Sequence, residues 1–150
     1  MTSTPRPVRR EPGSTSLAAV KIPRPLVDQM VEHAREDLPN ECCGMVGGRD
    51  GVARTIHRAR NARASPFSYD LDSKDLIRNY NEITDTGDEL IGIYHSHTKS
   101  AAEPSQTDIN LAAYPDAVYV IVSLADSENP EIRGWWLRDG KVDEERLEFD

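Results

Sequence analysis

The chain has 150 residues, the length of a single domain, and 37% of them are hydrophobic while 29% are charged. This composition is typical of a soluble globular protein, and no run of residues approaches the ~18 apolar positions that a membrane span needs. The formal net charge of −8 disfavours non-specific binding to phosphate backbones, so we expect neither a membrane nor a nucleic-acid partner.

Residues 1–16 are predicted to be a disordered basic tail. They contain three prolines and three arginines, and no core-type residue stands between Val8 and Leu17. The tail also lacks the apolar stretch of a secretory signal, so a cytoplasmic location is expected. Residues 17–150 are expected to form one domain.

Hydrophobic periodicity predicts that strands and helices alternate along this domain. Strands are predicted over residues 17–22, 42–46, 52–57, 67–71, 90–97, 118–124, 132–137 and 142–149, and helices over residues 26–38, 73–83 (capped by Asp72) and 105–113. The last two strands are expected to form a hairpin around Asp139-Gly140. Residues 118–124 are apolar apart from Ser123, which indicates a strand buried on both faces. The predicted fold class is α/β, a mixed sheet flanked by two or three helices.

Two of the four histidines stand together at the end of a predicted strand, as His95-Ser96-His97. Residues two apart on a strand point to the same face, so the two imidazoles lie side by side and offer nitrogen ligands of the kind that zinc binds. Taken alone, such a pair is more often simply exposed at a strand end.

A serine and an aspartate follow at the start of the third predicted helix. From a helix that begins at Ser105, Asp108 projects one turn later and can supply a third ligand, which leaves a fourth position open as in catalytic zinc sites. Taken alone, these two residues are better explained as an N-cap and a first-turn acid. The spacing His-x-His-x7-Ser-x-x-Asp as a whole favours the zinc site.

This spacing, with Glu41 upstream in the segment Pro-Asn-Glu-Cys-Cys-Gly of residues 39–44, resembles the signature of the JAMM (MPN+) zinc metalloproteases. The bacterial Mec-type branch of sulfur-carrier-protein–cysteine peptidases is the most similar, through segments such as Tyr-x-Leu-Asp-Ser at residues 69–73. The resemblance covers about residues 17–149. It departs from the family pattern at Thr98, where many members have proline.

The resemblance implies the MPN (cytidine-deaminase-like) fold and a set of site residues. His95, His97 and Asp108 would bind one Zn²⁺ per chain, Glu41 would act as general base and acid, and Ser105 would donate a hydrogen bond to the oxyanion. The implied partner is a ubiquitin-like sulfur-carrier protein with a Gly-Gly tail. Hydrolysis of its C-terminal amide bond would release cysteine, in carrier-dependent cysteine biosynthesis or sulfur transfer.

Two alternatives stay open at this point. The same zinc chemistry could process a carrier or ubiquitin-like C-terminus to expose Gly-Gly, or the chain could be a non-catalytic MPN interaction module. Modules of that kind lack ligands that this chain has. A zinc nucleobase deaminase is excluded, because the chain contains neither His-x-Glu nor Pro-Cys-x-x-Cys. The sequence leaves the identity of the carrier and the oligomeric state open.

Other reactive or aromatic residues are expected to be structural. His33 and His57 are predicted to lie at the surface, and the adjacent Cys42 and Cys43 to be buried as small hydrophobic residues. Trp135 and Trp136 must point to opposite faces of their strand, so one indole is expected inside and the other at a contact surface.

Overall fold

The computed structural model describes residues 20–150 of the chain. The predicted tail, residues 1–16, and the predicted domain start at residue 17 therefore lie outside the described residues. Among the described residues, no helix is long and apolar enough to cross a membrane.

Within residues 20–150 the chain forms one eight-stranded mixed sheet and three α-helices, so the predicted α/β class is confirmed. The elements are β1 (Val20–Lys21), α1 (Arg24–Glu36), β2 (Cys43–Arg49), β3 (Val52–Ala59), α2 (Ser73–Asp85), β4 (Glu89–His97), α3 (Gln106–Leu111), β5 (Val118–Ser123), β6 (Glu131–Arg138), β7 (Lys141–Glu145) and β8 (Leu147–Glu148). The strand order is β7-β6-β5-β4-β2-β3-β1-β8. Strand β4 thus lies in the middle of the sheet, where it pairs with β2 in the antiparallel direction and with β5 in the parallel direction.

Two apolar clusters cover opposite faces of the sheet. Helix α1 packs on one face, where Val118, Val120 and Val122 of β5 belong to the first cluster. Side chains of α2 and α3 pack on the other face, where Tyr119 and Ile121 belong to the second. Strand β5 is thus buried on both faces, as its nearly unbroken apolar run predicts.

The two tryptophans also face opposite ways, but the expectation of an exposed indole is wrong. Both rings are buried, and each indole N–H has found a partner inside the protein. Trp135 donates to the carbonyl of Ala102 at 2.9 Å, and Trp136 donates to the carboxylate of Glu145 at 2.8 Å. Both faces of the sheet are covered at this strand, so each face buries one indole ring. The local sequence pattern shows only that the two rings point to opposite faces.

The predicted strand 142–149 is in fact two strands on the two outer positions of the sheet. Strand β7 pairs with β6, whereas β8 pairs in parallel with β1, and Arg146 alone separates them. One intervening residue spans only roughly 7 Å, so the two edges of the sheet must meet and the sheet curves round α1. The apolar positions do shift phase here, because residues 143–146 are all polar and the next apolar residues are Leu147 and Phe149, but the sequence alone does not show that the second strand pairs at the other edge.

The predicted strand 67–71 is also wrong. The segment is a loop in which only Leu71 forms an isolated bridge, with Asn61. Side-chain groups of Asn61 bind the backbone of Ser68 and Asp70, which a regular ladder would otherwise pair. Tyr69 and Leu71 pack against the second apolar cluster without a neighbouring strand, whereas Phe67 is exposed, so β-like periodicity misleads here.

His33 is buried rather than exposed, contrary to expectation. It lies on the inner stripe of α1 with Met30 and Ala34, and its polar ring atoms are both satisfied. Its Nδ1 lies 2.7 Å from the hydroxyl of Tyr94 and its Nε2 lies 3.3 Å from the carboxylate of Asp37. A histidine with two internal partners can replace an apolar residue on such a stripe.

Candidate active site

Strand β4 presents two histidines at its C-terminal end, in the centre of the sheet. His95 stands opposite Cys43 on β2 and Ile121 on β5, so neighbours on both sides hold its backbone in place. His95 and His97 share their face with Ile93, the face that α2 and α3 cover. Both histidines are buried, and their Nε2 atoms lie 3.3 Å apart.

Asp108 reaches the histidines from the first turn of α3. Ser105 is the N-cap of this helix, and its hydroxyl accepts the Asp108 N–H at 3.0 Å. The Asp108 Oδ2 atom in turn accepts the Ser105 N–H at 2.9 Å. This reciprocal capping box fixes both residues, so the N-cap interpretation and the site interpretation apply to the same pair.

The three candidate ligand atoms form a compact triangle. Asp108 Oδ2 lies 3.1 Å from His95 Nε2 and 2.9 Å from His97 Nε2. A tetrahedral zinc ion with bonds of about 2.0–2.2 Å holds its ligand atoms roughly 3.3–3.5 Å apart, close to these values. Two imidazoles and one carboxylate are also a donor set found in catalytic zinc sites. The three residues can therefore hold a metal ion.

The surroundings orient the two imidazoles differently. His97 Nδ1 lies 2.7 Å from the carbonyl of Ala101, which places the proton on Nδ1 and leaves Nε2 free as a ligand. The ring of Tyr69 stacks on His95, with a centroid distance of 4.3 Å and an interplanar angle of 20°. His95 Nδ1 has no hydrogen-bond partner among the described residues.

Burial and mutual contacts set the protonation of the ligand residues. Burial lowers the pKa of His95 and so favours the neutral imidazole that binds metals. Burial acts on His97 in the same direction, but the hydrogen bonds to Asp108 and to the Ala101 carbonyl and the charge of Glu41 together outweigh it and raise the His97 pKa. Burial would raise the pKa of Asp108, yet hydrogen bonds with both histidines hold it below its usual value.

Glu41 lies beside this cluster, in the segment that leads into β2. It is only 3% exposed, and its Oε1 has no hydrogen-bond partner within residues 20–150. Burial raises the pKa of Glu41 to about 8, with opposing contributions from the charges of His97 and Asp108. A buried carboxylate oxygen without a partner is unusual, and it is typical of a functional group poised for a proton or a substrate.

Other candidate groups lie apart from the cluster or cannot react. Cys42 and Cys43 are buried, as expected, and burial raises the pKa of the Cys42 thiol to about 12, so it is no nucleophile at neutral pH. His57 contacts Glu82 at 3.1 Å on the surface formed by β3 and α2. Thr98 donates to the carbonyl of Pro66 at 3.2 Å, which ties the end of β4 to the loop 61–71.

Two residues of this region have no signal in the sequence patterns. Tyr69 contributes to the resemblance but is assigned no place in the site, and Asn61 is not singled out at all. Tyr69 lies in the segment predicted as a strand and Asn61 lies before it. Their contacts with His95 and Glu41 join positions far apart in the chain. Only the folded structure brings them to the site.

A family comparison agrees with this geometry. Residues 23–138, more than half of the chain, match the family model described as prokaryotic homologs of the JAB domain. The chain belongs to this family. The predicted membership of the JAMM (MPN+) proteases is thereby confirmed, and this JAB-family chain is a peptidase rather than a non-catalytic module.

Individual relatives of the JAB-family chain include named peptidases. It is 43% identical over 122 residues to the CysO-cysteine peptidase of Mycobacterium tuberculosis (strain ATCC 25618 / H37Rv), covering 80% of this chain and 84% of the relative. It is 39% identical over 104 residues to a desampylase of Haloferax volcanii, covering 64% and 74%. The crystal structure of AF2198, a JAB1/MPN domain protein from Archaeoglobus fulgidus, superposes with a TM-score of 0.59 at 20% identity, covering 89% and 99%. The predicted MPN fold is confirmed.

Proposed function

We propose that the protein is a zinc-dependent hydrolase that cleaves the C-terminal amide bond of a ubiquitin-like sulfur-carrier protein and releases cysteine. The observation that carries this proposal is the triangle of His95, His97 and Asp108 with Glu41 beside it. The similarity to a CysO-cysteine peptidase supports the choice of substrate. The reaction would serve carrier-dependent cysteine biosynthesis or sulfur transfer in the cytoplasm, with residues 17–150 as the catalytic domain.

His95, His97 and Asp108 would hold one zinc ion per chain through Nε2, Nε2 and Oδ2. Zinc in such a set acts as a Lewis acid and lowers the pKa of a bound water to about 7. The neutral imidazole of His95 and the ionised carboxylate of Asp108, both of which metal binding requires, are the forms that burial of His95 and the hydrogen bonds of Asp108 favour.

Glu41 would transfer the proton. Its carboxylate accepts a proton from the attacking water and delivers it to the nitrogen of the departing cysteine, the usual role of a general base and acid. In the absence of a cation, burial raises the Glu41 pKa to about 8. The ionised form is favoured beside a dication, which brings the group into the range where it can both accept and return a proton.

Ser105 would stabilise the oxyanion of the tetrahedral intermediate. Its hydroxyl oxygen already accepts the Asp108 N–H, so its own hydrogen remains available to donate. A donor of this kind is worth about 10²–10³ in rate.

The burial of the site favours a tail of small residues. Glu41, His95, His97 and Asp108 are each no more than 5% exposed, so bulky side chains next to the cleaved bond would not fit without rearrangement. A Gly-Gly sequence has no side chains to accommodate and can approach as extended backbone. This agrees with a carrier whose tail ends in Gly-Gly before the cysteine.

A second candidate substrate is a carrier joined to another protein. The relative in Haloferax volcanii is named a desampylase, which favours removal of a carrier from a conjugate to expose its Gly-Gly end. The same residues would act on either bond, because both reactions hydrolyse an amide that follows glycine.

The test is mass spectrometry of a ubiquitin-like carrier ending in Gly-Gly-Cys, incubated with the protein with and without a zinc chelator. We expect the loss of one cysteine residue, abolished by the chelator and restored by added zinc. An intact Gly-Gly-Cys carrier together with cleavage of a carrier–lysine conjugate would favour the second candidate. Chelator-insensitive hydrolysis would contradict the metal chemistry.

Glu41→Gln separates proton transfer from metal binding. We expect hydrolysis to fall about 10²–10⁴-fold while one zinc per chain remains bound, because only the proton acceptor is lost. Glu82→Gln, at an exposed carboxylate paired with His57, is the matched control and should keep full activity. Asp108→Asn should lose zinc, as measured by metal analysis after gel filtration. Unchanged turnover in Glu41→Gln would remove Glu41 from the mechanism.

A further inference from the structure

The side chain of Asn61 makes four hydrogen bonds to backbone groups. Its Nδ2 donates to the carbonyls of Glu41 and Ser68, both at 3.0 Å. Its Oδ1 accepts the N–H groups of Arg63 and Asp70, also at 3.0 Å. A carboxamide offers two donors and two acceptor positions, so this one is fully used. The orientation of the amide is fixed, because a flipped amide would place donors against donors.

These bonds join two segments that both touch the candidate active site. One segment carries Glu41, whose own N–H donates to the carbonyl of Ser65 at 2.9 Å and so adds a second link to the loop 61–71. The other segment is that loop, whose Tyr69 stacks on His95. The Asn61 amide and the Glu41–Ser65 backbone hydrogen bond thus fix the general base relative to the loop that carries the aromatic neighbour of His95.

Glu41 depends on this backbone link more than an ordinary catalytic carboxylate would. The Glu41 Oε1 atom has no hydrogen-bond partner among the described residues, so that oxygen is not anchored by a direct contact. The position of the carboxylate is therefore set by where the Glu41 backbone lies and by the packing around its stem. A side chain that fixes the Glu41 carbonyl also fixes the carboxylate relative to the histidines.

We propose that Asn61 is a positioning residue that holds Glu41 in register with His95, by binding the Glu41 carbonyl and the Tyr69 loop at once. This inference rests on the proposed function, in which Glu41 moves the proton. Misplacing a catalytic group by about 1 Å can cost on the order of 10² in rate, and loss of an outer partner in metal sites costs about 10–100-fold. Asn61 contacts none of the candidate ligand atoms, so metal binding should not change.

Two variants of Asn61 test this role by steady-state hydrolysis of a Gly-Gly-Cys carrier. Asn61→Ala removes all four hydrogen bonds, whereas Asn61→Asp keeps the two acceptor positions but cannot donate to Glu41 or Ser68. We expect kcat to fall about 10–100-fold in both, with KM within about twofold of the wild type and one zinc per chain. Agreement between the two variants assigns the effect to the lost donor bonds rather than to the added charge of aspartate.

Asn79→Ala is the matched control for simple loss of stability. The Asn79 amide is buried and donates to the carbonyls of His57 and Arg58, at 3.3 and 3.1 Å, but it joins α2 to β3 and does not reach Glu41. We expect this variant to lose stability without losing kcat. Asn61 variants whose kcat falls no further than that of Asn79→Ala would overturn the proposal, and so would Asn61 variants that lose zinc.

Amide hydrogen exchange of the metal-free proteins provides a readout that needs no substrate. In Asn61→Ala the amides of Glu41, Arg63 and Asp70 should exchange at least about tenfold faster than in the wild type, and in Asn79→Ala they should not. Unchanged exchange at Glu41 would overturn the positioning role. A wild type that fails to release cysteine contradicts only the proposed function, and the exchange rates then decide the role of Asn61.

Discussion

At the scale of single residues, the candidate active site places a carboxylic acid where its charge is costly. Glu41 is almost fully buried, and burial raises its pKa to about 8. The unfolded chain ionises this group near its ordinary pKa of 4.5, so the folded state holds a proton that the unfolded state has released. The contribution of the Glu41 proton to the free energy of unfolding is therefore fully present below about pH 4.5 and is lost as the pH rises towards 8.

A neutral isostere should remove this cost in the metal-free protein. We expect metal-free Glu41→Gln to be more stable than metal-free wild type by up to ~4 kcal/mol at pH 8, and the difference to vanish near pH 4.5. Urea unfolding at the two pH values measures both numbers. A metal-free Glu41→Gln variant that is less stable than metal-free wild type at pH 8 would contradict the burial argument.

At the scale of elements, α3 joins local folding to the proposed chemistry. The helix has only six residues, and its N-cap Ser105 both closes the capping box and would donate to the oxyanion. Its first turn also carries Asp108, so the start of the helix sets the distance between the carboxylate and the two histidines.

Glycine and alanine at position 105 separate the two roles of the serine. Ser105→Ala should lower stability by about 0.5–2 kcal/mol, whereas Ser105→Gly should cost only a few tenths, because glycine is tolerated as an N-cap. Both should lower kcat by about 10²–10³, since neither can donate to the oxyanion. Thermal unfolding and steady-state kinetics on the two variants measure these effects. A Ser105→Gly variant with wild-type kcat would leave Ser105 with a capping role alone.

Elements with strong local signals are predicted well from the sequence, and those defined by distant partners are not. Asp72 caps α2 as expected, and the apolar stripe of α1 agrees with its period. The cluster of His95, His97 and Asp108 can be foreseen because each part is local, a strand pair and a helical turn. The contacts of Asn61 and Tyr69 join segments that only the fold brings together, so no spacing in the sequence reveals them.

At the scale of the whole molecule, the curved sheet encloses α1 and is completed by a very short strand pair. Only Val20 and Lys21 pair with Leu147 and Glu148, although the Ile22 N–H also reaches the carbonyl of Glu148 at 2.8 Å. The side chain of Leu147 packs against the cluster around α1, close to Gly134 of β6. This contact joins β8, at one edge of the sheet, to β6, which lies next to the other edge.

Truncation of this side chain should weaken the whole fold. We expect Leu147→Ala to lower the free energy of unfolding by about 1–3 kcal/mol, because it removes the apolar contacts of β8 with β6 and with the cluster around α1. Val142→Ala, on the exposed part of β7, should change it by less than about 0.5 kcal/mol. Chemical denaturation compares the two. Equal effects would show that Leu147 has no special role in completing the sheet.

The single residue between β7 and β8 also has a consequence for how two copies of the chain can meet. If residues 147–150 separate from β1, Arg146 can act as a hinge, and β8 of one copy can pair with β1 of another. Such an exchanged dimer would form the same β1–β8 hydrogen bonds as the monomer. The balance between the two forms would therefore depend mainly on the protein concentration. The metal-ligand cluster lies on β4 and α3, well before the hinge, and would be present in each copy of the dimer.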